Sequence, residues 1–277
     1  MCEFCVKHGD GKKWYLNAAN YAEELVHDAR RVKYMEDFIP DITANAGRWL
    51  KIVDRGRRMS PEATKRILRI QSKRMKRIHF GQVIPLEDVE SILGIVGEVV
   101  RLPCVCREVT EKKQEAVCYL LTASPDRLGY RDLLGKREES LPIIEGIERV
   151  DRADALREMA ALEGQGKIHT VWTFITPFIG AICNCDPAGC LAINFTQRGM
   201  PLYLPGEDIL TTADGAECSG CGDCVEVCLF GALSLDDTGT VAIDHTLCQG
   251  CGVCRTSCPT ESLCLKPRVP ALETAGS

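Results

Sequence analysis

The chain has 277 residues, 45% hydrophobic and 26% charged, with a formal net charge of −5; this is the balance of a globular chain of about two domains, and it carries no bulk attraction to nucleic acid. The N-terminus Met1-Cys-Glu-Phe-Cys-Val-Lys-His lacks an apolar signal core, and the longest apolar stretch, residues 171–183, is broken by Pro177 and too short to span a bilayer. Seventeen cysteines are far above chance, and because disulfide frameworks belong to short secreted domains, they read as metal ligands in a reducing cytoplasm, that of an anaerobe or a strongly reducing pathway.

In chain order, Cys2-x2-Cys5-x2-His8 reads either as a metal half-site or as two free thiols on a chain end. A c-type haem would need the histidine directly after the second cysteine, where Val6 stands. Apolar residues at spacings of three and four predict an amphipathic helix over 17–39, stopped by Pro40. A second is expected over 43–55 with Trp49, Ile52 and Val53, and a third from Ser60-Pro61 to about His79 with Ile67, Ile70 and Ile78 facing inward. The run from Arg48 to Arg77 is strongly basic. Most such runs are solvated helical faces; the functional reading is a docking surface for an acidic redox partner, with nucleic acid ranked last for want of interleaved aromatics. A fourth helix is expected over 81–100, begun at Pro85.

The middle region then brings a strand at 117–121, a polar loop at 123–140, a helix at 152–162 with Ala155, Met159 and Leu162 inward, and one or two strands over 167–182. Six thiols accompany them: Cys104, Cys106, Cys118, Cys183, Cys185 and Cys190. Two C-x-C pairs each follow a predicted strand, so strand ends can bring them together, and soft thiolates suit an iron–sulfur cluster or a zinc ion. Buried, inert cysteines are the competing reading.

The last quarter carries the most specific pattern. Cys218, Cys221, Cys224 and Cys228 repeat thirty positions on as Cys248, Cys251, Cys254 and Cys258, each run spaced C-x2-C-x2-C-x3-C. That spacing holds 4Fe–4S clusters: three thiolates face one cube and the fourth serves its neighbour. Cys218, Cys221, Cys224 and Cys258 are therefore assigned to one cluster, and Cys228, Cys248, Cys251 and Cys254 to the other. Zinc, which usually takes two separated C-x2-C pairs, is the alternative. Cys264 reads as a buried non-ligand. Leu229 stands where the second run has Pro259.

Residues 214–268 resemble the bacterial-type two-cluster ferredoxins, which implies a pseudo-twofold ferredoxin fold. Leu102-Pro103-Cys104-Val105-Cys106-Arg107 and Cys183-Asn184-Cys185 are similar to short pieces of the catalytic chain of ferredoxin:thioredoxin reductase, although their separation is much longer here. That family pairs a 4Fe–4S cluster with a redox-active disulfide. The chain also resembles larger anaerobe iron–sulfur proteins with a C-terminal ferredoxin unit, which implies a redox role.

The expected fold is α+β: a helical region over 1–80, a cysteine-rich α/β middle domain over 81–205, a two-cluster ferredoxin domain over 206–270 and a tail over 271–277. The expected function is single-electron transfer through two or more 4Fe–4S clusters, as a subunit or donor of a larger cytoplasmic redox complex, with a redox partner protein and without nucleic acid or a membrane span. The alternative is a reductase in which the ferredoxin unit feeds the middle cysteines. No catalytic residue is assigned; no dinucleotide fingerprint, phosphate loop or serine triad occurs in the chain.

Overall fold

The computed structural model describes residues 13–59, 61–122 and 148–268. The half-site at Cys2, Cys5 and His8 and the loop expected over 123–140 lie outside them. The fold is α+β. Short 3-10 turns at Trp14–Leu16 and Ala18–Tyr21 and one helical turn at Glu23–Val26 lead into α1 (Ala29–Met59), 31 residues long. The helix expected from residue 17 therefore starts later: the Asn17 side chain caps a 3-10 turn by accepting from the Ala19 N–H.

Pro40 does not stop the helix but lies inside α1, so the two helices expected over 17–55 are one. A mid-helix proline forfeits a hydrogen bond and costs about 3 kcal/mol. Tertiary anchors offset it. The buried Arg31 guanidinium donates to the Phe174 and Ile175 carbonyls at 2.8 and 2.9 Å, and Arg198 pairs with Asp54 at 3.0 Å near the other end. Helix α2 (Pro61–Met75) follows, tied down by the Ser72 hydroxyl donating to the Pro201 carbonyl.

The inward stripe of α2 differs from expectation: Ile67 and Ile70 are 58% and 55% exposed, while Leu68 is buried. In α1, Trp49 and Ile52 are exposed and Ala46 and Val53 buried. Apolar residues lie on more than one face of each helix, so periodicity alone could not choose the face; the Arg31 and Arg198 anchors do.

A seven-stranded sheet follows: β1 (Gly81–Ile84), β2 (Glu98–Leu102), β3 (Cys118–Thr122), β4 (Glu148–Val150), β5 (Ile168–Thr173), β6 (Ile179–Cys185) and β7 (Tyr203–Leu204), in the order β4-β2-β3-β6-β5-β1-β7. Its pairings are antiparallel except β1 with β7. The helix expected over 81–100 is instead β1, α3 (Leu86–Ile95) and β2. All four β1 residues are buried, and a run buried on both sides has no period by which to tell strand from helix. Helices α4 (Val105–Glu111), α5 (Arg152–Gly164) and α6 (Leu191–Gln197) complete the region.

Alternation along the strands builds two cores. Val83, Val100, Leu120, Ile168, Trp172 and Ala181 point to the face covered by α1 and α6. Their neighbours Ile84, Val99, Leu121, Val171 and Ile182 point to the face covered by α3 and α5, where Ala155 and Met159 are fully buried and Leu162 packs at the edge. Period-two geometry makes this division automatic once one residue is placed.

The C-terminal unit comprises β8 (Asp208–Thr212), α7 (Asp223–Glu226), β9 (Leu233–Leu235), β10 (Val241–Ile243), α8 (Val253–Thr256) and β11 (Leu263–Pro267), with β8 paired to β11 and β9 to β10, both antiparallel. Among the described residues no helix is long and apolar enough to cross a membrane.

Lys13 joins this unit to the sheet region. Its ammonium bridges Asp88 of α3 at 2.9 Å and Asp208 of β8 at 2.8 Å, and the Tyr15 hydroxyl donates to Asp88 at 2.8 Å. Both carboxylates are buried. Lys13→Met leaves them facing each other without a cation and should lower unfolding stability by about 1–3 kcal/mol, less than a fully buried pair because Lys13 itself is partly solvated. Equilibrium denaturation measures it; a change below about 0.5 kcal/mol would show that the bridge contributes nothing.

Candidate metal centres

The thirty-residue repeat is visible in the backbone. Helices α7 and α8 are each one turn long, and each follows a glycine in the left-handed region, Gly222 at φ 83° and Gly252 at φ 85°. Gly220 and Gly250 repeat the match at 70° and 68°. At Gly250 a Cβ would come within 2.0 Å of the Asp208 carbonyl oxygen, and at Gly220 within 2.6 Å of that of Gly239. These glycines thus let neighbouring backbones close over the cysteine loops.

Two cysteine quartets result. Cys218, Cys221, Cys224 and Cys258 line one cavity, with Leu235 and Val241 as apolar walls. Cys258 joins this group across thirty-four residues from Cys224, because the β8–β11 pairing folds the second run back over the first. Its Sγ lies 3.3 Å from the Ser262 hydroxyl and 3.6 Å from that of Thr260; burial pushes its pKa up, but these bonds outweigh burial and leave it below the usual thiol value. The Cys254 thiol is raised by burial and then by the charges of Cys251, Cys228 and Cys248, with Cys224 of the first quartet also in range. Burial pushes Cys251 up to about 12. Such thiols stay protonated unless a metal compensates them. Soft sulfurs in fours, with Cys228 Sγ accepting the Ala232 N–H at 3.3 Å, fit iron–sulfur ligation.

Leu229 packs with Phe230 against the sheet core, so the residue replacing the expected proline serves as a wedge between the two regions. Cys264 is half-buried rather than buried, its Sγ 3.2 Å from the Thr211 hydroxyl across the β8–β11 pair.

The six middle thiols converge. Cys104 interacts with Cys106 and Cys118, Cys118 with Cys183, and Cys185 with Cys183 and Cys190; Cys106 and Cys190 lie within electrostatic range of each other and close the ring. Five pieces of chain supply it: the β2–α4 junction, α4, β3, β6 and the residue preceding α6. Cys118 and Cys183 face each other in the β3–β6 register. Among the described residues no three His, Cys, Asp or Glu side chains converge as ligands of one ion would; the ferredoxin-type quartets share that property, since each thiolate of such a quartet faces a different iron.

Arg107, beside the ring, is tied by three carboxylates: Glu111 at 2.8 Å, Glu115 at 3.1 Å and Asp186. Lys167 adds bonds to Glu115 and Asp186, both at 3.3 Å. Neither cation is left over to hold a bare thiolate.

Sequence reasoning missed the polar residues behind the ring. On the opposite sheet face Glu163, His169 and Asn184 form a buried chain: His169 Nδ1 lies 2.7 Å from Asn184 Oδ1 and Nε2 lies 3.2 Å from Glu163 Oε2. Asn184 Nδ2 donates to the Val117 carbonyl at 2.8 Å. The only signal was the position of Asn184 inside Cys183-Asn-Cys185, which alternation sends to the other face. Of the basic run, Arg48, Lys51, Arg55, Arg66, Arg69, Lys73, Arg74 and Arg77 are exposed; Arg57, Arg58 and Lys65 lie outside the described side chains.

Residues 217–262 match the 4Fe-4S dicluster domain. The chain is 34% identical over 72 residues to the pyruvate synthase subunit PorD of Methanocaldococcus jannaschii, covering 22% of this chain and 84% of that subunit. It is 43% identical over 44 residues to the isethionate sulfite-lyase activating enzyme of Oleidesulfovibrio alaskensis, covering 16% of this chain and 14% of that enzyme.

The loop geometry sets a test. Gly250→Ala meets both the left-handed strain of about 1–2 kcal/mol and the Asp208 carbonyl. Gly231→Ala, at φ 63° with nothing within 4 Å, meets strain alone. Thermal unfolding should show the larger loss for Gly250→Ala; equal losses would mean that the close approach does not constrain the loop.

Proposed function

Because the chain belongs to the family of 4Fe–4S dicluster ferredoxin-domain proteins, we propose that it is an electron carrier in which Cys218, Cys221, Cys224 and Cys258 hold one cluster and Cys228, Cys248, Cys251 and Cys254 hold another. Bound clusters supply reversible one-electron chemistry at potentials set by burial and by hydrogen bonds to sulfur. The protein's part is to hold the thiols out of water, to donate to Cys258 from Ser262 and Thr260, and to leave one quartet near the surface. Cys221 is exposed while Cys248 and Cys254 are buried, so a redox partner meets the first quartet.

The observation that carries this reading is the crossing: Cys258 lines a cavity with the cysteines of the other run. The reading extends to a cytoplasmic subunit or donor of a larger redox complex, which is supported by the likeness to a pyruvate synthase subunit. The exposed basic residues of α1 and α2 suit an acidic partner, whose encounter they would speed. The reductase reading draws on the thiol ring, but it needs an activated, accessible thiolate. Cys104, Cys185 and Cys190 are buried, and Arg107 is occupied by carboxylates; both observations favour the electron carrier.

Paramagnetic resonance of the full chain, purified without oxygen and reduced, tests the crossing. Cys258→Ala should remove the same cluster signal as Cys221→Ala, and Cys228→Ala the same signal as Cys251→Ala. If Cys258→Ala instead matches Cys251→Ala, each run holds its own cluster and the assignment is overturned. A colourless wild-type protein carrying zinc at these positions would end the electron-carrier reading.

A further inference from the structure

Six thiols from two strands, one helix and two strand–helix junctions meet beside the sheet, and the ordinary explanations for buried cysteines do not account for them. Packing alone would accept any small apolar side chain at these positions. A nucleophilic centre would need a spare cation, and the nearby Arg107 and Lys167 are both bound by carboxylates. What distinguishes the ring is where its thiols stand. Cys104 and Cys190 directly precede the first turns of α4 and α6, and Cys106 lies in the first turn of α4; the first N–H groups of a helix have no partner inside it. The Thr170 hydroxyl lies 3.6 Å from Cys185 Sγ. Donors of this kind stabilise metal-bound thiolates and not neutral thiols. Cys118 and Cys183 pair across the strands beside these four.

The ring also adjoins the C-terminal unit. Cys251 and Val253 of the second quartet's loop, with Leu229 and Phe230, pack into the same core as Cys106, Cys118, Cys183, Cys185 and Cys190. Buried Tyr203 belongs to that core too, within electrostatic range of Cys185, Cys190 and Cys251.

We infer that the ring is a third metal–sulfur site, in which Cys104, Cys106, Cys185 and Cys190 ligate a 4Fe–4S cluster, Cys118 and Cys183 form its wall, and Tyr203 lies in the apolar core it shares with the loop of the second ferredoxin-type quartet. The metal content of this site does not depend on the electron-carrier reading; its purpose as a third redox centre does.

Iron, acid-labile sulfide and zinc are counted on the full chain after anaerobic reconstitution with iron and sulfide. Three cubes give about twelve irons and twelve sulfides per chain. The Cys104→Ser/Cys185→Ser protein should fall to about eight, and Cys118→Ser/Cys183→Ser should stay at about twelve. A wild-type count of about eight, unchanged in the Cys104→Ser/Cys185→Ser protein, overturns the third site and leaves the electron carrier standing. About four irons, all lost in that protein, would uphold the site and sink the ferredoxin-type assignment. Zinc near one per chain that disappears with Cys104 and Cys185 overturns the cluster in favour of a structural ion. Equal iron loss in the Cys118→Ser/Cys183→Ser protein overturns the choice of four ligands. If the substituted proteins do not fold, the wild-type count alone decides between eight and twelve.

Discussion

A thiol taken out of water has few stable states: it stays protonated, is oxidised to a disulfide, or binds a metal. The described cysteines form no disulfides, and burial has raised several of them well above the ordinary thiol value, Cys251 and Cys254 among them. Such sulfurs are poor nucleophiles and poor isolated charges. They become anionic when a cation of comparable softness sits between them, and the 4Fe–4S core is that cation. The rest of the C-terminal unit follows from this requirement. Left-handed glycines close the loops, one-turn helices aim the sulfurs, and the β8–β11 pairing carries Cys258 back to the first run.

The middle region reaches a similar end by other means. There the thiols come from strands, a short helix and strand–helix junctions, and along β6 strand alternation decides what each side chain meets. Cys183 and Cys185 share a face because they are two apart, while Asn184 between them points the other way and binds His169, which binds Glu163. A one-residue slip of β6 would exchange the two environments, placing sulfur against a carboxylate and an amide among the thiols. The buried Glu163–His169–Asn184 chain therefore acts as a register lock. It is satisfied in one pairing and left without partners in the neighbouring one, at a cost of about 1–3 kcal/mol for each orphaned buried group.

Much of this was legible without coordinates, but unevenly. Spacing within one short run encodes the C-terminal quartets, because three of four ligands are local; Cys218, Cys221 and Cys224 could hardly do anything else. The six middle thiols were recognisable as a set, yet their ring depends on β3 pairing with β6 and on β2 pairing with β3, which no local pattern records. The strand at Gly81–Ile84 was hidden because residues buried on both faces have no period. The long helix through Pro40 was hidden for a different reason. Local chemistry argues for a stop there, and only distant partners, the carbonyls of Phe174 and Ile175, make continuation stable. The misassigned Ile67 and Ile70 have the same origin, since the face of α2 is chosen by residues more than a hundred positions away, such as Pro201.

The spacing between the two sulfur-rich regions depends on the joint that holds them. Arg255 and Glu87 form a two-pronged pair at 2.5 and 2.9 Å, but Glu87 is largely exposed, and such pairs contribute about 0–1 kcal/mol. The backbone and the core hold more firmly. The Gly206 N–H donates to the Gln249 carbonyl at 2.8 Å, and Arg268 donates to the Cys248 carbonyl at 3.0 Å, so the second cysteine run is hydrogen-bonded at its own loop. A Cβ at Gly206 would stand 3.2 Å from the carbonyl oxygens of Val83, Gln249 and Gly250 together, which leaves the joint little room to slide. Val253, Leu229 and Phe230 then fill the gap against the sheet. A joint closed by backbone and apolar contact resists salt and small pH changes in a way that a surface ion pair does not. The loop of the second quartet and the thiol ring accordingly share one apolar core with Tyr203, held by backbone and apolar contacts that leave their spacing little freedom.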